Sequence, residues 1–195
     1  MRRLLRRLLG DERGATLVEF GFVVPLMVLV IMGLGEILYQ EYAQSILTGA
    51  LQKAGRDSTI QGAANSTSAI DAKVMAMVTT VLHNATGVST RKSYNTFSQV
   101  APEPFTDTNG NGLRDTGECY TDQNANGVWD ADPGQAGQGG ASDVTLYSMT
   151  VTYPRLFPMA GLLGWSSNGT LTATTLLKNQ PYASQTVATP VTKCT

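Results

Sequence analysis

Hydrophobic and polar positions divide the chain into stretches of different period. From Phe20 to Gly35 no charge interrupts an apolar run, and the apolar segment from Ala15 to Leu38 has 24 residues. As a helix rising ~1.5 Å per residue, that length crosses ~30 Å of hydrocarbon. Beyond the run, Ile37, Leu38, Tyr42, Ile46, Leu47 and Leu51 recur at helical spacing. Alanine and glutamine, both good helix formers, fill positions between them. One helix is therefore expected from about Ala15 to about Arg56, spanning a membrane first and continuing as an amphipathic stalk. Pro25 removes a backbone donor inside the run, a kink that lipid-embedded helices tolerate when neighbours satisfy the freed carbonyl.

A Ser/Thr/Ala/Gly-rich joint at 57–67 precedes a second helical pattern, "SAIDAKVMAMVTTVLHN". Ser68 is expected to cap it, with Asp71 three residues on. Ile70, Val74, Met77, Val78, Val81 and Leu82 form one apolar stripe facing a core. The period then changes to two. At 143–153, "DVTLYSMTVTY" sets Val144, Leu146, Ser148, Thr150 and Thr152 on one face and Thr145, Tyr147, Met149, Val151 and Tyr153 on the other. Residues 170–182 read as a second strand and 93–105 as a further one. The loop "PRLFPMAGLLGWSSNG" between the two clear strands is punctuated by Pro and Gly and has an apolar centre. The expected fold class is α+β: a long N-terminal transmembrane and stalk helix, a second helix and a small antiparallel β-sheet carrying an inserted loop region.

Composition excludes several functions. The chain of 195 residues has a net charge of -1, which suits one or two small domains and gives no sign of a nucleic-acid partner. His83 is the single histidine and there is no Cys-x-x-Cys, so no zinc site can be assembled. Neither a Gly-x-Ser-x-Gly nor a phosphate-binding glycine loop occurs. No catalytic constellation emerges, and the chain does not read as an enzyme. Cys119 and Cys194 can form one bridge in an oxidising compartment or stand as two separate thiols. A bridge would tie down the tail, 183–195.

The flank before the apolar run holds five arginines in residues 1–14. The positive-inside tendency places that flank in the cytoplasm and the bulk of the chain across the membrane. A secretory signal would have a shorter apolar core and no helical continuation. Glu19 is out of place here. A carboxylate in an apolar segment costs up to ~2.5–3.5 kcal/mol at a helix centre and less near the interface.

The stretch "GATLVEF" runs from Gly14 through four uncharged residues to Glu19 and an aromatic. It resembles the class III processing site of type IV pilins and pseudopilins. That resemblance implies that a prepilin peptidase, a membrane aspartyl enzyme, cuts between Gly14 and Ala15. Glu19 then becomes the fifth residue and can pair with the new Ala15 amine of a neighbouring subunit. The alternative is an uncleaved single-pass anchor whose Glu19 reaches interfacial water.

More narrowly, residues 13–60 resemble TadE/TadG-like proteins, minor pilins of tight-adherence (type IVc) pili. The matching features are Arg13-Gly14, Val18-Glu19-Phe20, Pro25-Leu26, and then Ala50, Ala54 and Arg56. Residues 143–182 are similar to the family's closing strand, with Gln180 where the family has glutamate. The resemblance implies a cleaved leader at 1–14, a transmembrane and stalk helix at 15–56, and a periplasmic or extracellular domain at 57–195. It implies a single pass in the bacterial inner membrane and a role in pilus assembly, surface attachment or secretion, leaving open whether the subunit enters the fibre. The implied partners are membrane lipid, the prepilin peptidase, other pilus subunits and the inner-membrane assembly platform.

Residues 105–133 look inserted and contain a repeat of 15 residues, each copy Asp-x-Asn-x-Asn-Gly-x-x-Asp in outline, with Ala-Asn-Gly in the second. In the first copy Asp107, Asn109, Asn111, the Leu113 carbonyl, Asp115 and Glu118 occupy loop positions 1, 3, 5, 7, 9 and 12, with Gly112 at the turn. This is the EF-hand-type calcium pattern, oxygen ligands at alternate positions around a tight turn. The second copy offers Asp122, Asn124, Asn126, the Val128 carbonyl and Asp130. Pro133 stands at its position 12, so Asp132 is the expected substitute and the site is expected to be weaker. One or two calcium ions are implied, the alternative being an ion-free Asn/Gly/Asp-rich turn region. Phe105, Tyr120, Leu113 and Val128 are expected to tuck into a shared core. An uncleaved anchor would display this calcium-stabilised region as an adhesion or binding module.

Overall fold

The computed structural model describes residues 13–58, 66–157, 161, 164–181 and 188–194. Most of the expected leader therefore lies outside the described residues. The elements are helix α1 (Arg13–Ser58), helix α2 (Thr67–Val78), and strands β1 (Thr86–Tyr94), β2 (Cys119–Asp122), β3 (Gln135–Ala136), β4 (Val144–Pro154), β5 (Asn168–Lys178) and β6 (Val191–Cys194). The α+β class is as expected. A four-stranded sheet has the order β3-β1-β4-β5, and β2 pairs with β6 in a second, two-stranded sheet.

The chain divides into two compact units, residues 1–42 with 154–169, and 43–153 with 170–195. Within the first, α1 continues through Pro25 without a break in its helical assignment. Leu17, Phe20, Phe22, Leu26, Ile31 and Leu34 are exposed around it, and the helix is long and apolar enough to cross a membrane. Glu36 ends the charge-free run and accepts hydrogen bonds from Arg155 Nη1 at 3.3 Å and the Phe157 N–H at 3.4 Å.

In the second unit α1 buries one face: Ala43, Leu47, Ala50, Leu51 and Ala54. The expected stripe began earlier, but Ile37, Leu38 and Tyr42 are exposed. The buried stripe starts at Ala43 and is built largely of alanines, because small side chains let the helix approach the sheet. A methyl added at Gly55 would lie 2.5 Å from Leu177 Cδ1 of β5. Gln44 Nε2 donates to the Thr172 carbonyl of the same strand at 3.1 Å.

Strand β4 buries Tyr147, Met149, Val151 and Tyr153, the second of its two expected faces. Its antiparallel partner β1 runs in register from Thr86↔Thr152 to Tyr94↔Val144. That strand lies upstream of the expected 93–105. Pro102 and Pro104 deprive the later segment of ladder donors. It forms a short 3₁₀ turn, Phe97–Gln99, closed by Thr96 and Gln99, and only Phe105 makes an isolated bridge, to Tyr120.

Helix α2 buries Ile70, Val74 and Val78. Its N-cap is Ser66, without a side-chain cap, so Ser68 and Asp71 do not form the expected pair. Asp71 is used elsewhere. Its carboxylate accepts from Ser89 at 2.6 Å, from Arg91 Nη2 at 2.6 Å and from the Tyr147 hydroxyl. The Arg91 guanidinium lies 4.0 Å above the Tyr147 ring. This knot ties α2 to β1 and β4. A second one joins the end of α1 to the sheet. Gln138 Nε2 donates to the Ser58 carbonyl at 3.2 Å, and Asn179 Nδ2 and Thr145 Oγ1 donate to the Gln138 carbonyl at 2.9 and 2.7 Å.

Burial opposes ionisation of Asp71, but the hydrogen bonds from Arg91, Ser89 and Tyr147 outweigh it, and the Asp71 pKa is lowered. A carboxylate depressed by folding adds stability above its unfolded pKa and loses it as pH falls through the folded value. Asp71→Ala should cost about 2 kcal/mol near neutral pH, below the fully buried range because the carboxylate is partly exposed. In thermal melts the gap between variant and parent should narrow as pH is taken below the lowered Asp71 pKa.

Candidate functional site

The two inserted copies fold alike. In the first, Asp107 accepts from the N–H groups of Gly110 at 2.7 Å and Gly112 at 2.8 Å. The Asn109 side-chain oxygen accepts from Asn111 N–H at 3.0 Å, and the Asn111 oxygen from Leu113 N–H at 2.8 Å. Both asparagine amides donate to Asp115, at 2.7 and 2.8 Å. The second copy repeats these contacts. Asp122 accepts from Asn126 at 3.1 Å and Gly127 at 2.8 Å, Asn124 from Asn126 at 3.1 Å, and Asn126 from Val128 at 2.8 Å. The amides of Asn124 and Asn126 donate to Asp130 at 2.8 and 2.6 Å. Gly112 and Gly127 take φ of +76° and +91°, a conformation open to glycine at no steric cost.

The expected position-12 residues behave differently. Glu118 is engaged by the backbone of its own loop. It is 4% exposed, and its carboxylate bridges the N–H groups of Thr108 and Asp115 at 2.8 and 2.9 Å. Asp132 does not substitute in the second loop; it pairs with Lys92 and accepts from the Tyr94 hydroxyl at 2.9 Å. Glu103 closes that loop instead. Only 1% exposed, it bridges the N–H groups of Gln123 and Asp130 at 2.7 and 3.0 Å. These are the second and ninth positions, as with Glu118 in the first loop. Backbone contacts agree, since Glu103 N–H donates to Asp130 O and Glu118 N–H to Asp115 O. So do the eighth residues. Trp129 Nε1 donates to the Glu103 carbonyl at 2.9 Å and Arg114 Nη2 to the Glu118 carbonyl at 3.4 Å.

The repeat therefore begins two residues before Phe105, at Glu103. Each copy opens Glu-x-aromatic-Thr-Asp, and the opening of each copy closes the loop of the other. The pairing of glutamates 15 residues apart is the sequence signal that reveals this. The aromatic residues follow suit. Trp129 meets Phe105 edge-on, centroids 6.0 Å apart, and Arg114 lies 5.0 Å above the Tyr120 ring. Tyr120 is buried as expected, but Leu113 and Val128 are 69% and 62% exposed. They sit at the loop tips and do not join a core.

Cys119 and Cys194 are joined in a disulfide. They lie opposite each other in the β2–β6 ladder, so strand pairing and the bond hold the tail together. Lys193 Nζ lies 3.1 Å from Asp122 Oδ2. Burial opposes ionisation of Asp122, but Lys193 and the backbone donors prevail and lower its pKa. Asp107 is lowered by backbone donors, Gly112 first, and Glu118 by those of Asp115 and Thr108. All three carboxyls are thus held as acceptors for the loop backbone.

Among the described residues no group of three or more His, Cys, Asp or Glu is placed to hold a metal. The side-chain oxygens that each loop brings together belong to two asparagines and two aspartates. At the other end of the chain, the Gly14 and Ala15 backbone is part of α1 and Glu19 is exposed on that helix.

The architecture is that of a protein with an N-terminal membrane-length helix and a disulfide-bonded α+β domain. Residues 14–56, which lie within α1, match the family model described as TadE-like protein. The match stops before α2 and does not reach 143–182. No curated protein and no solved structure matches the chain.

Glu103→Ala would strip the acceptor from two backbone N–H groups and should cost about 2 kcal/mol or more. Asp132→Asn should leave the second loop intact. Amide exchange at Gln123 and Asp130 distinguishes the two, since only the Glu103 change should speed it.

Proposed function

We propose that this protein is a minor pilin or pseudopilin of a tight-adherence type IV pilus, cut between Gly14 and Ala15 by a prepilin peptidase. The observation that carries the reading is the TadE-like match, which begins at Gly14 and follows α1 to residue 56. The cut leaves the apolar helix attached to the folded domain. Glu19 then lies four residues from a new N-terminus on a helix surface that is otherwise apolar. In a bilayer that carboxylate is costly, and the Ala15 amine of an adjacent subunit can neutralise it as helices bundle. Such a pair sets register more than it adds net stability. The five arginines before the run favour a cytoplasmic N-terminus. The disulfide favours an oxidising compartment, the periplasm or beyond, for the rest.

The paired loops are read as calcium sites. Asp107, Asn109, Asn111, the Leu113 carbonyl and Asp115 supply oxygens to the first, and Asp122, Asn124, Asn126, the Val128 carbonyl and Asp130 to the second. Oxygen-only ligands around a tight turn suit a hard cation, with water completing the shell. The ion competes with the asparagine amides for Asp115 and Asp130, which favours modest affinity. Glu103 and Glu118 act by fixing the loop backbone.

The intact mass of the protein from membranes, with the prepilin peptidase present or deleted, tests the first reading. Loss of residues 1–14 only when the peptidase is present is expected. A full-length mass in both strains would leave a permanent anchor displaying the loop module. Glu19→Ala should insert normally but impair assembly, and normal piliation would remove Glu19 from the mechanism. For the ion, calcium at ~100 times its dissociation constant should add ~2.7 kcal/mol of stability over chelator. Asp107→Ala with Asp122→Ala should abolish that increment, and equal melting of the parent in calcium and chelator would refute the calcium reading.

A further inference from the structure

The apolar helix has a far end, and a second piece of chain meets it there. Residue 35 lies ~30 Å along the helix axis from Ala15 at ~1.5 Å per residue, the thickness of a bilayer's hydrocarbon core. At that level residues 155–157, which follow β4 and open its connection to β5, pack on α1. The Phe157 ring reaches Gly35 so closely that a methyl there would lie 3.0 Å from Cε2. Glu36, the first charge after the run, is paired with Arg155 at 3.3 Å. Arg155 also donates through Nε to the Ser166 carbonyl and through its backbone N–H to the Ser167 carbonyl, each at 3.0 Å. One arginine thereby closes the base of the connection and neutralises the carboxylate at the helix's boundary. On this ordered base Leu156 and Trp165 are 56% and 61% exposed.

We infer that the two flanks of this connection, 155–157 and 164–167, form a second membrane contact, with Leu156 and Trp165 seated at the far lipid–water boundary beside the helix. The inference rests on the reading of α1 as a membrane anchor. Three features point to lipid as the occupant. Exposed Leu156 and Trp165 belong to the same compact unit as the exposed apolar surface of α1. Its level coincides with the end of the span. Its polar groups are the kind the boundary accepts, since Trp favours the headgroup region and a paired Glu–Arg avoids an isolated charge at the edge of hydrocarbon.

Trp129 and Trp165 are the protein's two tryptophans, so Trp129→Phe leaves Trp165 as the sole reporter. The full chain carrying that change would be reconstituted into phosphatidylcholine–phosphatidylglycerol vesicles with bromine placed either near the headgroup end of the acyl chain or near the bilayer centre. Quenching several-fold stronger by the shallow label than by the deep one, with a blue-shifted emission, is expected. No lipid quenching together with full quenching by aqueous acrylamide would overturn the inference. So would deeper quenching that equals or exceeds the shallow. Flotation separates the two readings. A chain that floats with vesicles while Trp165 stays in water refutes only this contact, whereas a chain that does not float refutes the anchor and the contact with it.

Discussion

One unbroken helix has to satisfy two surroundings, and the rest of the molecule is arranged around that constraint. From Phe20 to Gly35 its surface is apolar on all sides, and the helix is long and apolar enough to cross a membrane. A helix suits lipid because its backbone bonds are all internal. From Ala43 onward the same helix must bury one face and wet the other. It does so with alanines and a glycine, which bring β5 within contact of Gly55. Replacing those small residues by larger ones would push the strand away and open the buried layer formed by Leu47, Leu51, Val74, Val78 and Tyr147. The two polar knots, around Asp71 and around Gln138, then orient layers that apolar contact alone would leave free to slide.

The insert solves a different problem. A loop of Asn, Gly and Asp has no apolar core, so it must be held by hydrogen bonds to its own backbone. Each copy supplies most of these from within, through Asx contacts with successive N–H groups. The last two donors, at the second and ninth positions, are satisfied by a buried glutamate from the opening of one copy or the other. Because Glu103 serves the second loop and Glu118 the first, neither copy is complete by itself. Phe105 and Tyr120 form a backbone bridge between the two openings.

Periodicity made α1, α2, β4 and β5 legible, since each has a long run of one period. Strand β1 was not, because "TGVSTRKSY" has no apolar alternation and contains a glycine. That glycine lies against the Met75 side chain, which an added methyl would have to displace. The loops were legible as a motif, but their closure was not. A calcium-loop template assigns the twelfth position by counting forward, which led to Asp132, whereas the fold reaches back to Glu103. Leu113 and Val128 are apolar and so read as core. Their N–H groups are held by Asn111 and Asn126 at the loop tips, which leaves both side chains outside. The disulfide was open in sequence because two cysteines can form one bridge or stand as separate thiols; the β2–β6 register places Cys119 opposite Cys194.

The two loops, alike in backbone, differ in what surrounds them. Asp107 is exposed and answered only by its own backbone donors. Asp122 is fully buried and is also answered by Lys193, one residue before the disulfide. The disulfide closes a separation of 75 residues, a constraint worth ~4 kcal/mol in the chain-entropy account. Because β2 carries both Cys119 and Asp122, the covalent link lies at the start of the second loop. The second loop is therefore held by strand pairing, a covalent bond and an ammonium group, while the first depends on the opening of the second copy and on its own hydrogen bonds. In the first loop, Asp107 and Asp115 are answered by backbone N–H groups and asparagine amides.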